Sequence, residues 1–262
     1  MFSFIVFYKL DAMIREMRFS SLRTCLSFFT ILRLGGENVP LSALAGYFPL
    51  AGLAIGAAAG ALACLLLGVG VPSPVAIVIA LGASIVFTGG LHEDGLADSA
   101  DALGIRHDRE RRIAVLKDSR IGTYGCLALI LNFSLRFFTL QAQATHGFYT
   151  LFCAFALSAT MGRAVLPLVM RSLPLLSTEG MAARAGAFSA TASRTALGVG
   201  LVLCALVAGP FAALIAFVSA LIAAYLLARL ARHAFGGHNG DILGAIEQCA
   251  ELAVLINLSV RP

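Results

Sequence analysis

Long apolar stretches constrain the fold of this chain more than any other feature of its sequence. A membrane-spanning helix needs roughly 20 predominantly apolar residues, and the chain holds enough such stretches for about six or seven helices. We therefore predict an all-α, polytopic integral membrane helical bundle. The predicted spans are residues 41–68, 72–91, 123–142, 148–170, 195–209, 211–228 and, more weakly, 242–258.

The composition supports a membrane protein and argues against a soluble domain. Of the 262 residues, 59% are hydrophobic and 13% are charged, and the mean hydropathy is +0.90, which is unlike soluble globular domains. Lys and Arg at the ends of spans explain the net charge of +5, so we expect a lipid bilayer as partner and no nucleic acid. The six cysteines lie singly and are interpreted as small core residues.

The first 40 residues are predicted to form a cytoplasmic or interfacial segment. Charged residues such as Lys9 and Asp11 interrupt any apolar stretch near the start, so we do not expect a secretory signal there. Residues 19–34 place Leu22 and Leu26 at helical spacing with arginines around them. This pattern predicts an amphipathic helix in the membrane interface, with a shallow span as the alternative.

The distribution of Lys and Arg among the connections predicts the topology. The connections at 70–73, 143–147 and 209–210 contain neither residue, whereas the N-terminus and the segments 92–122, 171–194 and 229–241 hold nearly all of them. By the positive-inside rule, the charged segments face the cytoplasm. We therefore expect a single membrane-embedded catalytic domain, residues 1–262, in the cell (inner) membrane, with its active site on the cytoplasmic face.

Residues 89–104 contain the most informative polar cluster. Four carboxylates, Glu93, Asp94, Asp98 and Asp101, occur within nine residues, and on a helix the three aspartates share one face. Like charges on one face repel one another, and Mg²⁺ is a cation that binds carboxylate oxygens together with substrate phosphates. We therefore predict a magnesium site at the three aspartates, against the simpler alternative of a solvated acidic surface.

A second polar cluster lies at the end of segment 92–122, the predicted cytoplasmic active-site segment. Lys117, Asp118, Ser119 and Arg120 directly precede the third span. Lys and Arg can hold phosphate oxygens, Arg as a bidentate fork, but they are equally typical of inner-leaflet anchors. The preceding stretch, 106–112, alternates basic and acidic residues and is interpreted as a solvated, lipid-anchoring helix surface without chemistry.

The third cluster opens the C-terminal motif and helix, residues 236–258. Glycines and Asn239 precede Asp241, which we predict to be the N-cap of the last helix. The N-terminal end of that helix would favour an anionic group nearby. Asp241 therefore has two predicted roles, as a helix cap and as a member of the site.

Two glutamates lie inside the last predicted span. Glu247 and Glu251 are one helical turn apart, and a carboxylate at bilayer depth is costly unless it faces the bundle interior. Arg136 and Arg163 are the basic residues at similar depth and are the predicted partners. The sequence leaves open whether this group is a structural ion pair or contacts a substrate.

The three clusters together resemble the motifs of the cobalamin synthase family, the adenosylcobinamide-GDP ribazoletransferases. Order, spacing and length agree over essentially the whole chain. The departures are mild, since Asn239 and Ala102 stand where the family usually has Thr and Gly, and Glu247 has no firm counterpart. The family's HxDGLADxxD motif resembles residues 92–101, [KR]DSR[IL]G resembles 117–122, GGxTGDxLGA…E resembles 236–251, and YFPLxGxxIG resembles 47–56.

The resemblance implies a Mg²⁺-dependent enzyme that carries out the last step of nucleotide-loop assembly in cobalamin (vitamin B12) biosynthesis. In this reaction the ribose 3′ oxygen of α-ribazole, or of α-ribazole 5′-phosphate, attacks the corrinoid-side phosphorus of adenosylcobinamide-GDP, and GMP leaves. Other nucleotide-loop enzymes are expected as candidate docking partners.

The resemblance also implies the roles of individual residues. His92 or a metal-free carboxylate would receive the hydroxyl proton. Asp94, Asp98 and Asp101 would hold Mg²⁺. The implied catalytic residues are His92, Asp94, Asp98, Asp101 and Asp241, and the implied substrate-binding residues are Lys117, Asp118, Arg120, Asn239 and Glu251.

Two other classes of protein remain as alternatives. A phosphotransferase of the CDP-alcohol type shares a DGxxA pattern, but it expects an Arg directly after that Ala and a longer gap, which the sequence lacks. A cation or corrinoid transporter would place its charges near the bilayer midplane and in inverted repeats. Here the acidic residues cluster at one predicted face.

Overall fold

The computed structural model describes residues 19–106, 108–116, 118, 120–178 and 180–260. Within these ranges the chain is helical and has no β-strand, apart from an isolated bridge between Leu175 and His238. The prediction of an all-α protein is confirmed. The helices are α1 (Phe19–Phe29), a 3₁₀ helix (Leu41–Tyr47), α2 (Phe48–Gly68), α3 (Ser73–Thr88), α4 (Leu91–Leu103), α5 (Arg109–Val115), α6 (Thr123–Ala144), α7 (Phe148–Ala164), α8 (Leu166–Ser172), α9 (Met181–Arg184), α10 (Ala190–Ala234) and α11 (Gly240–Ser259).

Five helical segments of the described chain are long and apolar enough to cross a membrane. They are the 3₁₀ helix with α2, α6, α7 with α8, α10, and α11. Helices α3 and α4 make a sixth only if they are counted together, because the chain bends by 89° between them. Gly89 and Gly90 form this bend with φ angles of 67° and 66°, in the left-handed region that favours glycine. The predicted multi-pass membrane bundle is confirmed, and the acidic helix α4 turns away from the span.

Helix α10 folds back on itself at Gly209, which has non-helical φ and ψ angles of 83° and 165°. Near its start, the Ser193 hydroxyl donates to the carbonyl of Pro167 (3.0 Å). Just beyond its end, the N–H of His238 donates to the carbonyl of Pro174 (2.8 Å). A straight helix of 45 residues would separate these contacts by roughly 65 Å. The two arms are therefore antiparallel, in agreement with the break predicted between two spans at 209–210.

Contacts between helices identify the two ends of the bundle. At one end, the Gln141 amide donates to the Ser73 hydroxyl (2.8 Å), and the Gln143 amide donates to the carbonyl of Leu258 (2.7 Å). Ser73, Gln141 and Gln143 lie in or beside the connections that contain no Lys or Arg. The connections rich in Lys and Arg share the opposite end, which we call the charged end.

Helix α1 is shorter than the predicted helix over residues 19–34. It ends at Phe29, because the chain turns there and the N–H of Ile31 donates to the carbonyl of Phe87 at the end of α3 (2.9 Å). One face of α1 is buried against the bundle, as expected for an amphipathic helix. Residues 1–18 of the predicted N-terminal segment lie outside the described residues.

Helix α5 corrects the interpretation of residues 106–112 as a purely solvated surface. Nε of Arg109 donates to the carbonyl of Phe235 (2.6 Å), and Nη1 of Arg112 donates to the carbonyl of Ala234 (3.2 Å). The last carbonyls of a helix lack partners within that helix, and positive charge is favourable there. These arginines therefore anchor α5 to the end of α10.

Glycines bring α4 into close contact with α11. A Cβ atom at Gly95 would lie 2.9 Å from the Cα of Asp241, and one at Gly244 would lie 3.1 Å from the Cα of His92. Small residues at such crossings allow two helix backbones to approach. This crossing holds the acidic face of α4 beside the N-terminus of α11.

Candidate functional site

Asp94 and Asp98 line an open cleft at the charged end of the bundle, which we call the acidic cleft. The cleft has a volume of about 600 Å³, and α1, the Gly89–Gly90 bend and α6 complete its walls. Asp94 is exposed and Asp98 is half-buried. Neither carboxylate forms a hydrogen bond or an ion pair within the described residues. Acidic side chains can bind a cation when they face open volume and have no partner among the described residues.

Burial and electrostatic repulsion both disfavour the ionised form of Asp98 in the acidic cleft. Asp98 lies on α4, which is outside the five long apolar segments. Burial, followed by the charges of Asp94, Asp241 and Asp101, raises the pKa of the Asp98 carboxyl to about 6. A bound cation would relieve this repulsion and favour the ionised carboxylate.

Asp241 lies beside the acidic cleft but is not the N-cap that we predicted. The cap is Asn239, whose side-chain oxygen accepts from the N–H of Ile242 (3.0 Å). The amide of Asn239 also donates to Oδ2 of Asp241 (2.6 Å). The correction has a local cause, because the helix begins at Gly240 and Asp241 therefore lies inside its first turn. Asn239 thus orients the carboxylate of Asp241, which takes no part in capping.

Asp101 has a different environment from the other two aspartates of α4. Its carboxylate accepts from the N–H of Gly122 (2.7 Å) and from the N–H of Gly125 (2.8 Å). A Cβ atom at either glycine would collide with the Asp101 carboxylate. Asp101 therefore satisfies free N–H groups at the start of α6 and fixes this helix against α4.

The structure brings together only part of the predicted metal site. Asp94 and Asp98 share the acidic cleft, Asp241 acts on it electrostatically, and both oxygens of Asp101 are engaged by backbone amides. Among the described residues, no group of three His, Cys, Asp or Glu side chains is arranged to hold a metal ion. The predicted Mg²⁺ therefore has no preformed three-ligand cage in this part of the chain.

The predicted phosphate-binding loop lies between α5 and α6. Arg120 is exposed, and its guanidinium binds the Asp118 carboxylate through Nε (3.0 Å) and Nη2 (2.8 Å). These hydrogen bonds hold the pKa of Asp118 below its usual value. Lys117 and Ser119 lie outside the described residues.

His92 lies below the cleft in a buried polar network. Its side chain is buried, and Nδ1 lies 3.0 Å from a carboxylate oxygen of Glu247. Its ring packs near Phe29, with ring centroids 5.8 Å apart. We predicted His92 as a proton acceptor, but its contacts with Glu247 and Phe29 are those of a structural residue.

The network pairs the buried glutamates with the two predicted arginines. Nη1 of Arg163 lies 2.6 Å from Glu247 and also binds Glu251, while Nη2 of Arg136 lies 2.6 Å from Glu251. Arg163, Glu247 and Glu251 are almost fully buried. The predicted ion pairing is therefore confirmed, and Glu251 is shared by both arginines.

Sequence analysis missed the uncharged members of the network. The side-chain oxygen of Gln248 accepts from Asn132 (3.0 Å) and from Arg136 (2.8 Å), and its amide donates to Glu93 (3.1 Å). An amide at membrane depth, such as Asn132 or Gln248, is itself a signal of interior polar contacts. These residues extend the network from α11 to α6 and to the base of the acidic cleft, where Glu93 lies.

Comparison with known proteins places the chain among proteins of related sequence. A family model described as cobalamin-5-phosphate synthase matches residues 21–259. A protein of Bradyrhizobium diazoefficiens named adenosylcobinamide-GDP ribazoletransferase is 38% identical over 241 residues, which cover 90% of this chain and 92% of that protein. A Sinorhizobium protein of the same name is 40% identical over 84% of this chain and 86% of its own length. No solved structure matches the chain.

Proposed function

The chain belongs to the cobalamin-5-phosphate synthase family, and we propose that the acidic cleft is the site of its ribazoletransferase reaction. The activity is the final assembly step of the cobalamin nucleotide loop. In our proposal, adenosylcobinamide-GDP is joined to α-ribazole or α-ribazole 5′-phosphate, and GMP is released. The observation that carries the assignment is the pair of carboxylates, Asp94 and Asp98, which have no partner among the described residues and lie on the helix that contacts Asp241 through Gly95.

The reaction exchanges one phosphorus–oxygen bond for another. The ribose 3′ oxygen bonds to the corrinoid-side phosphorus, the bridging P–O bond breaks, and GMP departs with the electron pair. The hydroxyl proton passes to a base. The protein must therefore neutralise the pyrophosphate, align the attacking oxygen with the leaving group and supply a proton acceptor.

We infer that Asp94 and Asp98, with Asp241 close by, hold Mg²⁺ against the pyrophosphate. Carboxylate oxygens suit this ion, which typically takes one or two carboxylates together with substrate phosphates, and the two side chains have no partner among the described residues. Bound Mg²⁺ would neutralise charge on the phosphates. In this proposal Asp101 positions the start of α6, since its oxygens bind Gly122 and Gly125.

The loop before α6 supplies the basic residues of the proposed site. Arg120 is exposed and pairs with Asp118, so a substrate phosphate can replace Asp118 as its partner at little cost, because exposed ion pairs are weak. Lys117 is proposed to bind the same phosphates, as the family motif implies.

We propose Glu93 as the acceptor of the hydroxyl proton. Glu93 is partly exposed and lines the acidic cleft; its Oε1 atom accepts from Gln248, and its buried Oε2 atom has no hydrogen-bond partner within the described residues. His92 is less suitable, because it is buried and its Nδ1 faces Glu247. We therefore assign to His92 a positioning role.

The proposed location is the cell (inner) membrane, with the acidic cleft on the cytoplasmic face. This orientation rests on the Lys- and Arg-rich connections, which lie at the same end of the bundle as the cleft. It would give the cleft access to cytoplasmic nucleotide substrates.

A release assay on the detergent-solubilised protein tests the function. GMP should appear only when adenosylcobinamide-GDP and an acceptor are both present, and Mg²⁺ chelation should suppress it. Parallel runs with α-ribazole and its 5′-phosphate identify the preferred acceptor. Release of GMP without any acceptor would indicate a hydrolase and contradict the proposal.

A further inference from the structure

Gln248 lies where three helices meet. It belongs to α11 and is only 2% exposed. Its side-chain oxygen accepts hydrogen bonds from Asn132 (3.0 Å) and Arg136 (2.8 Å) on α6. Its amide nitrogen donates to Glu93 on α4 (3.1 Å) and to the neighbouring Glu247 (3.2 Å). A glutamine side chain has two donor and two acceptor positions, so all four are used.

The charged partners of Gln248 determine which way its amide points. The guanidinium of Arg136 can only donate a hydrogen bond, and an ionised carboxylate can only accept one. A reversed amide would place its oxygen against the two carboxylates and its nitrogen against two donors, so it would lose all four hydrogen bonds. The N–H group of Gln248 is therefore held towards Glu93.

The Glu93 side chain depends on this contact for its position. Within the described residues, the amide of Gln248 is the only hydrogen-bond donor to the Glu93 carboxylate. Nη1 of Arg136 lies 4.0 Å from the same carboxylate oxygen, beyond hydrogen-bonding distance. Glu93 is partly exposed at the acidic cleft, and an unrestrained glutamate has considerable rotamer freedom. Gln248 thus restricts the carboxylate to one position beside the cleft.

We propose that Gln248 is a positioning residue for the transfer reaction, which acts by holding the Glu93 carboxylate where it receives the proton of the acceptor hydroxyl. This inference rests on the proposed function, in which Glu93 is the proton acceptor, and adds a residue that acts through it. A general base must lie within hydrogen-bonding reach of the proton that it removes. The described lining of the acidic cleft does not include Gln248, so we expect it to affect turnover and not substrate binding.

Replacing Gln248 with Met tests this separation. Met has a similar length but provides no amide, so the Glu93 carboxylate loses its restraint. The kcat for GMP release should fall by about 10- to 100-fold, the scale of a small misplacement of a reacting group. The KM values for adenosylcobinamide-GDP and α-ribazole should change by less than about threefold. An unchanged kcat in the folded variant, or a loss expressed only in KM, would overturn the proposal.

Gln143→Met is the matched control for loss of a buried glutamine. Gln143 is 7% exposed, and its amide donates to the carbonyl of Leu258 (2.7 Å) at the opposite end of the bundle. The variant should therefore lower Tm through a lost contact between helices and keep kcat within about twofold of wild type. An equal fall in kcat for Gln143→Met and Gln248→Met would show that activity follows general stability and would refute the positioning role.

A double-mutant cycle tests whether Gln248 acts through Glu93. Glu93→Gln should lower kcat by about 10²- to 10⁴-fold, the usual contribution of a general base. Adding Gln248→Met should then change kcat by less than about twofold, because the group that it positions is already lost. If the two losses multiply, Gln248 acts independently of Glu93 and the inference is wrong.

A second pair of variants covers the case in which Gln248→Met does not fold. Removal of Gln248 leaves the buried Asn132 amide without its acceptor, and Asn132→Leu removes that amide. Asn132→Leu alone keeps the bond between Gln248 and Arg136, so Asn132→Leu/Gln248→Met should be about 10- to 100-fold slower than Asn132→Leu. Equal rates for these two variants would overturn the proposal.

Failure of this inference is distinguishable from failure of the proposed function. Absence of GMP release by the wild type would contradict the proposed function itself. Near-normal turnover in Glu93→Gln would exclude Glu93 as proton acceptor and this inference with it. A large loss in Glu93→Gln with full turnover in Gln248→Met would refute the role of Gln248 alone.

Discussion

Replacing Asp241 with Asn separates helix capping from chemistry, because the structure assigns the cap to Asn239. The cap bond from the N–H of Ile242 to Asn239 (3.0 Å) does not involve Asp241. An Asn at position 241 can still accept the hydrogen bond that the Asn239 amide donates to Oδ2 (2.6 Å). The substitution therefore removes a negative charge beside the acidic cleft and leaves the local hydrogen bonds in place.

The expected effects on stability and on rate differ in size. A hydrogen bond to a charged acceptor contributes about 1 kcal/mol more than a neutral one, and loss of a carboxylate near a helix N-terminus costs about 0.3–1 kcal/mol. Relief of repulsion with Asp98 offsets part of this cost, so the net loss should be about 1 kcal/mol and Tm should fall by about 2–4 °C. Turnover should fall by about 10²-fold or more if the carboxylate helps to bind metal or orient substrate.

The assay is GMP release by purified Asp241→Asn at saturating Mg²⁺ and both substrates, together with thermal unfolding in the same detergent. Asn239→Ala is the matched comparison, since it keeps the Asp241 charge but removes the cap and the hydrogen bond to Asp241, and it should cost about 1 kcal/mol of stability. A rate close to wild type in folded Asp241→Asn would refute our reasoning and return this segment to a purely structural role.

Three further predictions concern the metal, the buried network and the topology. Asp94→Ala should abolish GMP release while leaving Tm unchanged or slightly higher, because it removes one member of a repelling group; near-normal activity would exclude Asp94 from the mechanism. Arg163→Met should destabilise the protein by about 3–5 kcal/mol, since it removes the arginine partner of the buried Glu247 carboxylate; an unchanged midpoint in thermal unfolding would contradict this. Cysteine-accessibility mapping should place segments 92–122 and 236–241 on the cytoplasmic side, and external labelling of either would contradict the site model.

The sequence was sufficient to predict features that depend on local pattern. Apolar length identified the spans, the uncharged connections identified one end of the bundle, and residues 209–210 marked the break in α10. The spacing of Asp94 and Asp98 predicted a helix with one acidic face, and α4 confirms it. Each of these inferences depends on neighbours within about one or two helical turns, where periodicity is informative.

The features that could not be predicted depend on distant contacts. The spacing of Asp101 matches that of the other acids, yet its role is set by Gly122 and Gly125, more than 20 residues away. The choice of Asn239 over Asp241 as cap depends on where α11 begins, and helix boundaries are the least certain part of a sequence-based assignment. The amide of Gln248 at membrane depth indicates an interior polar contact, but the sequence does not identify its partners, which come from α4 and α6.

Helices α4 and α11 both contribute side chains to the buried network and to the acidic cleft or its edge. Helix α4 carries His92 and Glu93 towards the network and Asp94 towards the cleft, while α11 carries Glu247 and Asp241. The two helices touch through glycines, which allow close approach but provide no side chain that fixes their register. Buried charged pairs tolerate little displacement, because an unpaired buried charge is costly. We therefore assign to the network the task of holding α4 and α11 in the register that keeps Asp241 beside Asp94 and Asp98.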